Sequence, residues 1–191
     1  MKSINKKHKL LYQQKDFPLF QNRMYETEQN AIDCPKANIY LVQDQDTGLI
    51  YNLDFNPELM VYDKHYQNEQ AVSPSFQKHL DSVVKIVKRG LGSKSLVEVG
   101  CGKAYFLELL QSKGVEITGF DPTYEGKNKS IERNYFKKGV GVEADGLILR
   151  HVLEHIQNPI EFLQELSIAN KEKGRVYIEV PCFDWIVENK A

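Results

Sequence analysis

The sequence predicts an α/β fold, a mostly parallel sheet with helices on its faces, and three observations carry that expectation. In the stretch 95–110 a short apolar run, Leu96-Val97-Glu98-Val99, passes through Gly100 and Gly102 into the helically spaced Tyr105, Phe106, Leu109 and Leu110. That order reads as strand, tight turn, helix. Further short β-favouring runs then alternate with helical patterns as far as Pro181, the arrangement of right-handed parallel crossovers. Ahead of the first strand, Ser73-Pro74 supplies an N-cap followed by proline at the first helical position.

Composition sets the outer bounds. A chain of 191 residues suits one domain, or one with a small appendage. A net charge of -1 offers no general attraction to nucleic acid or to an anionic membrane. No apolar run is long enough to cross a bilayer, and the lysine-bearing opening Met1 to Lys9 lacks the apolar centre of a secretory signal, so a soluble cytoplasmic protein is expected. Cys34, Cys101 and Cys182 are odd in number and far apart, which argues against a disulfide framework and a zinc knuckle. A homodimer is left open.

In chain order, the polar and basic residues up to about Lys15 read as a frayed end, and Phe17 to Asn22 as extended. Ile39-Tyr40-Leu41-Val42 and Leu49-Ile50-Tyr51-Asn52, joined by Asp46-Thr47-Gly48, form a hairpin. Residues 1–72 are therefore expected to be a small β-containing lobe followed by a tyrosine- and amide-rich segment. Residues 73–191 form the α/β domain. Its opening helix carries Phe76, Leu80, Val83, Val84 and Val87 on one face and ends at Gly90 or Gly92. After the glycine turn, Gly114 closes the next helix and Val115 to Pro122 is a second strand. A weak third strand spans Ile131 to Phe136 and a clearer fourth Ala144 to Arg150. A helix from about Ile160 to Asn170 and a fifth strand, Gly174 to Pro181, complete the pattern.

The glycine turn is the candidate ligand site. It brings backbone N–H groups and a helix N-terminus to the carboxyl edge of the sheet, where open α/β folds hold ligands. Gly100 and Gly102 can take positive φ and leave no Cβ between a ligand and the main chain. Cys101 reads as a space-filling contact, with a reactive thiol as the alternative. A dinucleotide fingerprint would need glycine at position 105, which is Tyr105. Asp121 stands nineteen residues past Gly102 at a strand end, where a carboxylate can accept both hydroxyls of a ribose; a turn-starting Asp-Pro with Pro122 is the other reading. His151-Val152-Leu153-Glu154-His155 has the spacing of an inverted zinc protease motif. That chemistry needs both histidines within one helix, whereas a strand ends at Arg150 and Asn158-Pro159 follows. No metal site is expected, and His155 reads as a packed or capping residue.

The run Glu98-Val99-Gly100-Cys101-Gly102-Lys103-Ala104 resembles the first motif of class I S-adenosylmethionine-dependent methyltransferases, which have a Rossmann-like core; Ala104 stands where a third glycine is usual. Gly119-Phe120-Asp121-Pro122 and Leu147-Ile148-Leu149-Arg150-His151-Val152-Leu153-Glu154-His155 resemble later motifs in the same order. The resemblance implies S-adenosylmethionine as cofactor, held by Glu98, Gly100, Cys101, Gly102, Asp121, Pro122, Arg150 and His151. Phe55 to Leu80, with Tyr66, Asn68, Gln70 and His79, and the closing Glu179-Val180-Pro181-Cys182-Phe183-Asp184-Trp185, are similar to the branch that methylates carbon in nucleotide-linked sugars. This adds Tyr66 and Gln70 to the cleft.

There are departures. Many members of that branch carry four metal-binding cysteines in the N-terminal lobe, which here has only Cys34. The class I sheet has more strands than the five read here, and members continue into a segment bearing the catalytic base. The resemblance thus implies the cofactor-binding front part of a longer protein, with no base identified. The expected activity is methyl transfer to a small molecule. A non-catalytic S-adenosylmethionine-binding module is the alternative, and a nicotinamide-dependent dehydrogenase is disfavoured by Tyr105.

Overall fold

The computed structural model describes residues 7–20, 23–60 and 73–189. The chain forms two compact units, Met1–Glu69 and Gln70–Ala191.

The first unit is a three-stranded antiparallel sheet in the order β1-β2-β3, from β1 (His8–Pro18), β2 (Lys36–Asp44) and β3 (Ile50–Asn52), with a short helix α1 (Glu28–Ile32) before β2. The hairpin of β2 and β3 is as expected. Its turn is organised by Asp44, whose Oδ1 accepts from the N–H groups of Asp46 and Thr47 and from the Thr47 hydroxyl. The reading of residues up to Lys15 as frayed is corrected for those that are described. His8 onward pairs along β2, from His8 opposite Asp44 to Pro18 opposite Lys36. Nearly all of β1 is exposed, so its side chains lack the one-sided alternation that marks a half-buried strand. Main-chain pairing and polar cross-strand contacts hold it, among them Gln13 to the Tyr40 hydroxyl at 3.1 Å.

The second unit is a five-stranded parallel sheet flanked by helices, a Rossmann-like core. Its elements are α2 (Pro74–Leu91), β4 (Leu96–Val99), α3 (Tyr105–Ser112), β5 (Ile117–Phe120), β6 (Ile131–Glu132), β7 (Gly146–Arg150), α4 (Pro159–Ala169), β8 (Arg175–Glu179) and α5 (Phe183–Asn189). The sheet order is β6-β5-β4-β7-β8. Winding runs outward from β4 to β5 and β6, then returns to lay β7 and β8 on the other side. The carboxyl ends of β4 and β7 therefore flank the switch point at which such sheets open a crevice.

Strand alternation builds two cores from one sheet. Leu96, Ile117, Ile131 and Ile148 pack with Leu80, Val83, Val84 and Val87 of α2 and Phe106, Leu107 and Leu110 of α3. Val97, Val99, Phe120, Leu147 and Leu149 pack on the opposite face with Leu166 and Ala169 of α4. The same parity places Glu98 and Arg150, each two residues past an inward-facing neighbour, on the α2 and α3 face.

Two elements of this unit differ from the sequence reading, and one matches it without its expected capping bond. The third strand is two residues rather than six, because the chain leaves the sheet after Glu132 and Phe136 turns into the core, its ring 5.1 Å from that of Phe120. Ser73 is the N-cap of α2, but its side chain makes no capping bond. Helix α5 was not anticipated; none of its residues is buried.

The loop before β7 is fastened by Asn170, which is fully buried just past α4. Its side chain accepts from the Ala144 N–H at 2.7 Å and donates to the carbonyls of Ala144 and Lys173 at 2.9 and 2.8 Å. Asn170→Ala removes all three bonds and strands buried backbone groups, so denaturant unfolding should show a loss of about 2–4 kcal/mol.

Candidate functional site

The turn after β4 bends through three left-handed residues, Gly100 (φ 72°), Gly102 (φ 53°) and Ala104 (φ 70°). A Cβ on Gly100 would lie 2.7 Å from the Val152 side chain, so that glycine is required both by conformation and by the close approach of the segment after β7. No atom lies within 4 Å of the Cβ position of Gly102, which leaves its main chain open on that side. Ala104 is fully buried at the N-cap of α3. Holding an alanine there costs about 1–2 kcal/mol relative to an ordinary conformation.

Hydrogen bonds tie the turn to the neighbouring strand. The Gly100 N–H donates to the Phe120 carbonyl at 2.8 Å, and the Gly102 N–H to Asp121 Oδ2 at 2.8 Å. The other Asp121 oxygen accepts from the Thr123 N–H and hydroxyl at 2.8 and 2.7 Å. Asp121 thus both starts the turn after β5 and braces the glycine turn, and Pro122 next to it is exposed. Cys101 is buried in the turn, where burial, with Glu98 and Asp121 nearby, pushes its thiol up to about 12. That favours the space-filling reading over the reactive thiol.

Glu98 is 3 % exposed among the apolar side chains of the α2 and α3 face. Burial pushes its carboxyl up to about 8 against the pull of Arg150, with Glu179 and Asp121 raising it further. Its Oε2 has no hydrogen-bond partner. Near the end of the strand that runs into the glycine turn, the fold thus buries an acceptor without giving it a donor.

At the carboxyl ends of β7 and β8 a second cluster gathers. Arg150 Nε donates to Glu179 Oε2 at 2.8 Å and Nη2 to Oε1 at 3.2 Å, while its guanidinium lies 4.3 Å from the centre of the Phe106 ring. His151 has φ 53° and sits between two carboxylates, Nδ1 3.4 Å from Glu154 and Nε2 3.4 Å from Glu179. Those two acids, Glu154 foremost, raise it to about 9 although burial opposes. Burial also works against ionisation of Glu179, but His151, Arg150 and His79 outweigh it and hold the carboxyl far below its usual range.

The structure therefore brings Glu98, Gly100, Cys101, Gly102, Asp121, Arg150 and His151 to one edge of the sheet. Tyr66 and Gln70 lie outside the described residues. His155 is exposed at the end of a 3-10 turn (Leu153–His155) rather than packed, and His151 directly follows the end of β7, so the two histidines do not share a helix. Among the described residues no group of three or more His, Cys, Asp or Glu is placed to hold a metal, and no helix is long and apolar enough to cross a membrane. Sequence reasoning assigned no role to Glu179, although it ends its strand as Arg150 does and stands where acids had already been singled out on β4 and after β5. A depression lined by Lys88, Arg89 and Arg175 lies at the opposite edge, where Lys88 and Arg175 are engaged by the carbonyls of Lys113 and Gly90.

A family model described as a methyltransferase domain matches residues 62–191. The chain belongs to the methyltransferase domain family. No curated protein matches it in sequence. The matched span contains the whole parallel sheet, so the edge just described belongs to the methyltransferase domain.

Because Glu98 is raised, the folded domain holds a proton that the unfolded chain has lost. Its contribution to stability is present below about pH 4.5 and is lost as pH rises towards 8. Glu98→Gln should melt close to the parent near pH 5 and above it at pH 8.5, as read by thermal denaturation across that range.

Proposed function

We propose that this methyltransferase domain binds S-adenosylmethionine at the carboxyl edge of β4 and β5 and methylates a small molecule, a carbon of a nucleotide-linked sugar being the acceptor its sequence resemblance favours. The observation that carries the reading is the unpartnered, buried Oε2 of Glu98 near the end of β4, the strand that runs into the bend where the Gly102 main chain lies open.

The residues present fit such a cofactor. Glu98 offers an acceptor for the ammonium of the methionyl part, and bringing a cation to it favours the ionised carboxylate. Gly100 and Gly102 keep the main chain bare, and the N-terminus of α3 opens on the same turn. Asp121 already holds Gly102 in place; its Oδ2, which accepts from Gly102 alone, keeps acceptor capacity for a ribose hydroxyl, while Oδ1 is filled by the Thr123 N–H and hydroxyl. Tyr105 fills the place a dinucleotide turn reserves for glycine. When bound, the cofactor supplies an electrophilic methyl on a sulfonium. The protein's task is then to position donor and acceptor and to exclude water.

Calorimetric titration with S-adenosylhomocysteine, S-adenosylmethionine and NAD tests the binding. Both adenosyl compounds should bind, and NAD should not. Binding of NAD alone would overturn the reading. Labelled methyl transfer to nucleotide-linked sugars tests the acceptor, and tight binding with no transfer to any acceptor would leave the non-catalytic module.

Two variants probe the corner. Asp121→Ala removes the brace on Gly102 as well as the hydroxyl acceptor, and should weaken S-adenosylhomocysteine binding about tenfold or more with an unchanged far-ultraviolet spectrum. Gly100→Val puts a branched side chain at φ 72° against Val152 and should abolish binding.

A further inference from the structure

Two residues one hundred positions apart meet at the edge of this site. His79, on the face of α2 that carries Phe76 and Leu80, places Nε2 2.8 Å from Glu179 Oε1 at the end of β8. Glu179 also receives Arg150 through both oxygens and the Tyr177 hydroxyl at 3.2 Å on Oε2, and His151 Nε2 lies 3.4 Å from Oε1 without a hydrogen bond. Its side chain is 12 % exposed, against 48 % for His79. The carboxylate is sealed in the fold while the ring bonded to it reaches the surface.

An ionised carboxylate only accepts hydrogen bonds, so the proton of this contact is on His79 Nε2. In the neutral ring that leaves a lone pair on Nδ1. Neighbouring groups cannot serve the same purpose. Each nitrogen of His151 lies 3.4 Å from a carboxylate oxygen, Arg150 donates its Nε and Nη2 to Glu179, and burial and Glu179 push the Tyr177 phenol up to about 12.

We propose that His79 Nδ1 is the proton acceptor for the molecule being methylated, with Glu179 as the residue that fixes the tautomer and aims the ring. This rests on the reading of the edge as a methyl-transfer site. The acceptor gives its proton to Nδ1 and keeps the electron pair, which forms its new bond to the methyl carbon; the pair of the broken carbon–sulfur bond stays on sulfur. A carbon acceptor next to a carbonyl needs such a base, and positioned imidazoles contribute about 10²–10⁴-fold to such steps.

The test reads the imidazole directly. The full chain is treated with diethyl pyrocarbonate at pH 8 and acylation of each histidine is followed by mass spectrometry, with exposed His155 as internal reference. His79 should react about tenfold faster than His155, Glu179→Gln should abolish the difference and Glu179→Asp should restore part of it. His79 reacting no faster than His155 overturns the proposal, as does a rate indifferent to Glu179→Gln. Should Glu179→Gln fail to fold, nitrogen-15 spectra of the parent decide: a bare Nδ1 at pH 8 supports the assignment and a protonated Nδ1 ends it. Calorimetry with S-adenosylhomocysteine separates the two levels. Its binding alongside a slow His79 defeats only the base, whereas its failure to bind the parent chain removes the methyl-transfer reading beneath it.

Discussion

The constraint on which the site depends is the bend after β4, where Gly100, Gly102 and Ala104 must all be left-handed within five positions. Such a bend is unfavourable for any side-chain-bearing residue, and it persists because its neighbours hold it from two directions. Phe120 and Asp121 accept its N–H groups from β5, and Val152, just past β7, lies where a Gly100 side chain would have to go. The bend thus joins the three central strands at the point where the sheet changes its direction of winding.

Acids near three strand ends have unlike fates, and the difference comes from where the Arg150 guanidinium goes. Arg150 is committed to Glu179 through two hydrogen bonds, with Phe106 packed on its face. Glu179 is consequently fully ionised. Glu98, on the same face of the sheet, feels Arg150 only at a distance, and burial dominates. Asp121 takes a third course, its oxygens divided between Gly102 and Thr123. One edge therefore offers an unpaired carboxyl, a braced carboxylate and a fully paired one, a division of labour suited to holding a charged ligand on one side and handling a proton on the other.

Much of this was legible in the residues. Short apolar runs in β4, β5 and β7 and glycine spacing in the bend located the central strands and the turn, because buried parallel strands and left-handed corners each demand particular residue types. β1 was not legible, since a strand exposed on both faces carries no alternation, and α5 is only seven residues, too short for the spacing of Phe183, Ile186 and Val187 to distinguish a helix. The brace from Asp121 to Gly102 was half visible: the acid stood out, but its main-chain partner did not. The His79 and Glu179 contact was beyond reach, because it depends on how α2 is rotated against β8, a packing detail settled by Leu80, Val83 and Val87 together rather than by either partner.

Hydrogen–deuterium exchange with and without saturating S-adenosylhomocysteine tests the central claim most directly. The account predicts slower exchange in peptides covering residues 98–106 and 119–124, where the open bend and its brace become covered. Protection confined to the antiparallel unit, or to the Lys88 and Arg175 edge of the sheet, with the 98–106 peptide unchanged, would contradict it.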